Sequence, residues 1–218
     1  MADTAFKAVI FDLDGVITDT AHYHFLAWQR LAHQLGVSFE AQDNEALKGL
    51  GRRESLEEIL KKGGIALDEA EKDRLAAEKN AHYQDLITAL GPDDLLPGVA
   101  AAFDQIRAAG CAIGLASASR NAATVVRALG ISHRFDVMGD AAKVANSKPA
   151  PDIFLANAEA LGLDPAHCLG VEDAASGVTA IKRAGMTALG VGSAHILAEA
   201  DYVIPAMTAF DLADYSPA

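Results

Sequence analysis

A chain of 218 residues is long enough for one large domain or for a domain with an insert, and with only 6% aromatics its core must rest on Ala, Leu and Val. The net charge of −12 argues against nucleic acid and anionic membrane as partners, but not against phosphate, because a metal and a few placed Lys or Arg reverse the sign locally. No stretch has the length of a membrane span or the pattern of a signal peptide. Cys111 and Cys168 open apolar runs without metal-ligand spacing, so a cytoplasmic protein with two reduced core cysteines is expected.

The first predicted element is the apolar run from Ala8 to Phe11, which ends in Asp12-Leu13-Asp14-Gly15. Such a run reads as a buried parallel strand, and Gly15 marks its turn into a loop. Strand side chains alternate faces, so Asp12 and Asp14 start on the same side, at the carboxyl edge where open α/β sheets bind ligands. Two carboxylates there are costly unless a cation or protons compensate them. Taken alone, the pair also reads as a polar turn.

From about Thr20 to Leu90 the sequence is helical and charged, with Ala21, Phe25, Trp28, Ala32 and Leu35 at helical spacing, as are Leu56, Ile59 and Leu60. His24 shares a face with Trp28, Leu31 and Leu35, and Lys79 lies between Leu75 and Tyr83. A core histidine and a snorkelling lysine are the plain alternatives to a ligand-facing pair. The acidic run Asp68–Glu71 reads as a helix start.

After Gly91-Pro92, short apolar runs alternate with helices. The runs are Cys111–Ala118, Phe135–Gly139, Cys168–Val171 and Thr187–Val191, with a weaker one at Tyr202–Ile204. Helices fit Val99–Ala109, Asn121–Leu129, Pro151–Leu161 and Ala174–Ala184, and Gly110, Gly130, Gly162 and Gly185 are placed as stops. The expected fold is α/β: a doubly wound parallel sheet built from residues 1–18 and 89–218, with residues 19–88 inserted as a helical lid after the first strand. A monomer is expected, since no exposed apolar stripe is evident.

Three more strand ends carry polar residues. Ser117-Ala118-Ser119-Arg120-Asn121 combines hydroxyls, backbone amides and a helix start, which suits an anion and equally a helix N-cap. Lys148 precedes a proline-initiated helix, where a solvated loop lysine is the plain alternative. Glu172-Asp173 repeats the opening pattern, and two acidic strand ends in one sheet suggest a shared divalent cation; oxygen ligands favour Mg²⁺.

In order and spacing these four motifs resemble the haloacid dehalogenase superfamily of phosphotransferases, over essentially the whole chain. The resemblance implies a Rossmann-like core and a nucleophilic Asp12 with Asp14 as acid/base. It makes Ser117 the phosphate-binding hydroxyl, Lys148 the motif lysine, and Asp12, Glu172, Asp173 and the Asp14 carbonyl the Mg²⁺ ligands. Segments Asp12–Ala21, Tyr23-His24-Phe25, Leu47-Lys48-Gly49, Lys79-Asn80, Leu115–Ser119 and Ser147–Ile153 sharpen it to the sugar-phosphate mutases of that superfamily. These are isomerases, and the implied reaction is conversion of β-D-glucose 1-phosphate into glucose 6-phosphate through β-glucose 1,6-bisphosphate. The implied ligand contacts are Thr20, His24, Lys48, Gly49, Arg52, Lys79, Ala118, Ser119, Arg120 and Asn121, with Arg52, Ser119, Arg120 and Asn121 on the second phosphate. Arg120 stands where the family can carry lysine, and a cis Lys148-Pro149 bond is also implied. A sugar-phosphate phosphatase would share every core residue. Phosphonate hydrolysis would need a cap lysine placed to form a Schiff base, and a phosphosugar-binding module would need no acidic pair.

Overall fold

The computed structural model describes residues 6–47 and 50–217. Six strands form one parallel sheet: β1 (Ala8–Phe11), β2 (Ala112–Leu115), β3 (Val137–Met138), β4 (Cys168–Glu172), β5 (Thr187–Val191) and β6 (Tyr202–Ile204). Their order is β3-β2-β1-β4-β5-β6, so β1 is flanked by β2 and β4, the two strands at which the chain reverses its winding. The carboxyl ends at that reversal form the crevice in which open sheets bind ligands.

Alternation along the strands builds a core on each face. Val9 and Phe11 join Ile113, Leu115, Leu169 and Val171 under α5 (Val99–Ala108) and α6 (Ala122–Ala128). Ala8 and Ile10 pack the other face with Phe154 of α7 (Asp152–Leu161) and Ile181 of α8 (Ala175–Arg183). Both faces are covered, which is why these strands read as unbroken apolar runs. The helix-stopping glycines Gly110, Gly130, Gly162 and Gly185 all hold positive φ, between 68° and 76°. Cys111 and Cys168 are free and buried.

Between β1 and β2 the chain runs through α1 (Ala21–Gln34), α2 (Ala41–Glu45), α3 (Arg52–Gly63) and α4 (Glu69–Leu86). Trp28, Leu31, Leu56, Ile59, Leu60 and Leu75 give these helices a hydrophobic cluster of their own. At their foot Ala27, Tyr83, Ile87 and Leu90 join the main core. Asp68 opens α4 by accepting the Glu71 N–H at 2.8 Å.

The strand predicted at Phe135–Gly139 pairs only over Val137–Met138. The Asp136 carboxylate accepts the Ile113 N–H at 2.7 Å while pairing with Arg107, so a side chain takes the place of a ladder acceptor. Among the described residues no helix is long and apolar enough to cross a membrane.

Candidate active site

Residues from both parts of the chain line a cavity of about 590 Å³ at the carboxyl edge of β1, β2 and β4. Asp12 is the first residue after β1, and its N–H is held by Val171 O of β4 at 2.9 Å. Its Oδ2 accepts the Asp14 N–H at 2.9 Å, closing a tight turn. Gly15 carries that turn at φ +78°, and a Cβ there would collide with the Asp173 carboxylate.

Asp12 Oδ1 accepts from Lys148 Nζ at 2.5 Å, and the same ammonium reaches Glu172 Oε1 at 2.5 Å. Lys148 is buried, with Phe154 beneath its ammonium, and follows a loop whose Lys148-Pro149 bond is cis. Burial works against its charge, but Asp12 and Glu172 outweigh that and hold its pKa above the ordinary lysine value. Glu172 is held by a second contact, the Ala174 N–H at 2.9 Å, and Gly177 of α8 leaves it room, since a Cβ there would overlap the carboxylate. Burial, with the charges of Asp12 and Asp173, pushes Glu172 up to about 7 in spite of Lys148.

Asp12, Glu172 and Asp173 each offer a carboxylate oxygen, and these oxygens lie within 4.8 Å of one another. An all-oxygen, strongly negative donor set of this kind fits a hard divalent cation.

Asp14 lies in a different environment. Its Oδ1 accepts from the Thr20 hydroxyl, which is thereby diverted from capping α1. Burial, then the neighbouring charges of Asp12 and Asp173, raise its pKa well above the carboxylate range. The turn therefore sets a carboxyl whose surroundings favour the proton two residues from one bound to an ammonium.

The insert closes the cavity with cations. Lys79 of α4 is buried, its Nζ 2.9 Å from His24 Nδ1 and stacked over the Trp28 and Tyr83 rings at 4.4 and 4.9 Å. Burial and the Arg52 charge bring Lys79 down to about 7, partly offset by Asp14. Burial, Lys79 and Arg52 also hold His24 well below its usual range, so it is neutral, and its buried Nε2 has no protein partner among the described residues. Arg52 and Arg120 both line the cavity, and no carboxylate pairs with either among the described residues. Burial and the Arg120 charge lower the Arg52 pKa, the mark of like charges gathered without a counterion.

The loop after β2 is laid out by its own hydroxyls. Ser117 Oγ accepts the Ser119 N–H at 3.1 Å, and Ser119 Oγ accepts the Asn121 N–H at 3.2 Å, so both O–H groups stay available as donors. Ala118, Ser119, Arg120 and Asn121 line the cavity, while Thr20, Ser117 and Lys148 are buried. Lys48 and Gly49 lie outside the described residues. The two α4 amides that grip Asn121, from Asn80 and Gln84, were missed as site residues by sequence reasoning. Asn80 falls within the Lys79-Asn80 segment of the resemblance, whereas the only signal for Gln84 is its four-residue spacing from Asn80 on one helix face.

The Lys79 environment gives a stability prediction with a definite sign. An unfolded lysine titrates near ~10.4, so between about 7 and that value the unfolded chain binds more protons and stability rises with pH. Lys79→Met escapes this cost. Its advantage in urea unfolding is expected to be ~4–5 kcal/mol below pH 7 and to fade toward pH ~10. A pH-independent difference would contradict the assignment.

The haloacid dehalogenase-like hydrolase model matches residues 6–185. The chain is 50% identical to the β-phosphoglucomutase of Bacillus subtilis, over 91% of this chain and 88% of that one. It is 33% identical to the fructose-1-phosphate phosphatase YqaB of Escherichia coli, over 85% and 96%. The crystal structure of β-phosphoglucomutase from Clostridium difficile superposes with a TM-score of 0.93 at 44% identity, covering 94% of this chain and 93% of that one. With its two-faced parallel sheet, its acidic strand ends and a family match over most of its length, the chain belongs to the haloacid dehalogenase-like family.

Proposed function

We propose that this protein interconverts β-D-glucose 1-phosphate and glucose 6-phosphate, with Asp12 carrying the phosphoryl group and β-glucose 1,6-bisphosphate as the intermediate. The observation that carries this reading is the unlike pair: Asp12 bound to the Lys148 ammonium, and Asp14 bonded to the Thr20 hydroxyl, where burial and its neighbours raise its pKa. A nucleophile and a general acid need unlike surroundings, and one turn supplies both. The 50% identity to a β-phosphoglucomutase supports the choice of substrate.

The C6 hydroxyl of β-glucose 1-phosphate gives its proton to Asp14 and attacks the phosphorus carried on Asp12, the aspartyl–phosphate bond breaks, and β-glucose 1,6-bisphosphate forms. In the other half an Asp12 carboxylate oxygen attacks the C1 phosphorus of the turned bisphosphate, the bond from that phosphorus to the sugar oxygen breaks, and the Asp14 proton moves to that oxygen, which releases glucose 6-phosphate and restores the phosphorylated Asp12. Lys148 and Ser117 hold the oxygens of the group in transit. Mg²⁺, held by Asp12, Glu172, Asp173 and the Asp14 carbonyl, supplies charge that offsets the repulsion between carboxylate and phosphate. Arg52, Ser119, Arg120 and Asn121 hold the second phosphate, and His24 and Lys79 meet the ligand from the insert side, together with Lys48 and Gly49. Thr20 acts through Asp14.

Residues 19–88 serve as the lid over a core of residues 1–18 and 89–218. A mutase must hand its phosphoryl group to a sugar hydroxyl while water competes, and a closed, cation-lined lid favours the sugar. The ligand is a small phosphosugar, and the protein acts as a cytoplasmic monomer.

The test is product analysis from β-glucose 1-phosphate with Mg²⁺ and a catalytic amount of the bisphosphate. Glucose 6-phosphate is expected, and its formation should stop on chelation of the metal. Free glucose with inorganic phosphate would replace this reading by a phosphatase, the activity named for the 33% identical relative.

A further inference from the structure

Helix α4 turns two faces to its neighbours. Lys79 and Tyr83 meet His24 of α1, whereas Asn80 and Gln84, one turn apart, both meet Asn121 at the end of the loop after β2. Asn121 Nδ2 donates to Asn80 Oδ1 at 2.8 Å, and Asn121 Oδ1 accepts from Gln84 Nε2 at 3.2 Å. Asn121 is buried and lines the cavity; Asn80 and Gln84 do not line it.

A primary amide has nearly the same shape either way round, so its hydrogen-bond partners decide which end faces a ligand. Here the two partners agree. Gln84 presents a donor to the Asn121 oxygen and Asn80 an oxygen to its nitrogen, so one arrangement of the three amides satisfies both contacts. The Asn121 Nδ2 keeps a second hydrogen, and in this orientation it is available to an anion. A carbonyl oxygen in its place would repel one.

We infer that Gln84 and Asn80 are positioning residues: they fix the Asn121 amide donor-first for the ligand's second phosphate and tie occupancy of that phosphate to the seating of α4. The inference rests on Asn121 being a phosphate contact, as in the function proposed above. It extends the determinants of binding to Gln84, an exposed residue of the insert that does not line the cavity.

The test compares full-length wild type with Gln84→Met, Gln84→Lys and Gln84→Glu. Each is assayed for isomerisation of β-glucose 1-phosphate and for labelling of Asp12 by acetyl phosphate, which has no second phosphate. Losing one neutral hydrogen bond is worth about fivefold, so Gln84→Met should raise KM by about that factor with kcat and acetyl-phosphate labelling unchanged. Gln84→Lys keeps a donor to Oδ1 and should return KM to near wild type. Gln84→Glu offers an acceptor, turns the amide round and should exceed Gln84→Met. A simple effect of charge would leave Gln84→Met at the wild-type KM, and that result overturns the inference. So does a Gln84→Lys that rescues nothing, or a parallel fall in KM quality, kcat and labelling. Wild type that takes no label from acetyl phosphate would sink the proposed function instead. Calorimetry with glucose 6-phosphate and Mg²⁺ would then still decide the clasp: weaker binding to Gln84→Met supports it, and equal affinity overturns it.

Discussion

Asp12→Asn is expected to lower isomerisation by ~10⁴-fold or more and to leave no phosphorylated protein. An amide oxygen is too weak a nucleophile to displace a sugar oxygen from phosphorus, and nothing else in the cavity stands in for it. The neighbouring carboxylates are Asp14, occupied by Thr20 and with its pKa raised by burial, Glu172, with one oxygen on Lys148 and the other on the Ala174 N–H, and Asp173, committed to the cation donor set. The fold should survive. Asn keeps an oxygen for Lys148 and loses only the acceptor of the Asp14 N–H, a cost of ~1–2 kcal/mol. Asp14→Asn separates the two roles. Acetyl phosphate has a leaving group that needs no proton, so this variant should still be labelled on Asp12 by that donor. Its turnover with sugar phosphates should fall ~10²–10⁴-fold. Labelling of Asp12→Asn, or unchanged turnover of Asp14→Asn, would break the assignment.

The acids were legible in the sequence because of where they stood. A carboxylate that ends an apolar run must lie at a strand end, so Asp12 and Glu172 could be placed at one edge before any coordinates. His24 and Lys79 were legible as a shared helix-face problem, and the structure brings their side chains together at 2.9 Å. The depth of Lys148 was not legible. Its loop, Ser147-Lys148-Pro149, looks solvated, and only the approach of β1, β4 and α7 turns it into a buried site. Gln84 escaped for the opposite reason, because a polar residue on a helix looks like part of a solvated face until the partner across the gap is known. The edge strand β3 was over-extended because the Asp136 side chain competes with the backbone for Ile113, a contact that hydrophobic patterning cannot register. Local pattern thus located the chemistry, while long-range packing set its electrostatics.

That distinction is sharpest at Lys148, whose removal should damage stability and activity by separable routes. Its ammonium is the shared partner of two buried carboxylates, and truncating one member of such a cluster leaves charge uncompensated. Lys148→Met should therefore cost ~3–5 kcal/mol in urea unfolding measured without divalent cations. Isomerisation should fall ~10³-fold, because a preorganised cation at the transferring phosphate is lost. The double variant Lys148→Met/Glu172→Gln removes the more deeply buried orphan charge while keeping its shape and its acceptor for the Ala174 N–H. It should regain ~1–2 kcal/mol of stability and none of the activity. If stability and turnover recovered together, Lys148 would be a scaffold residue and the electrostatic argument would be wrong. If the single variant lost less than ~1 kcal/mol, the buried cluster of Asp12, Lys148 and Glu172 would not persist in solution.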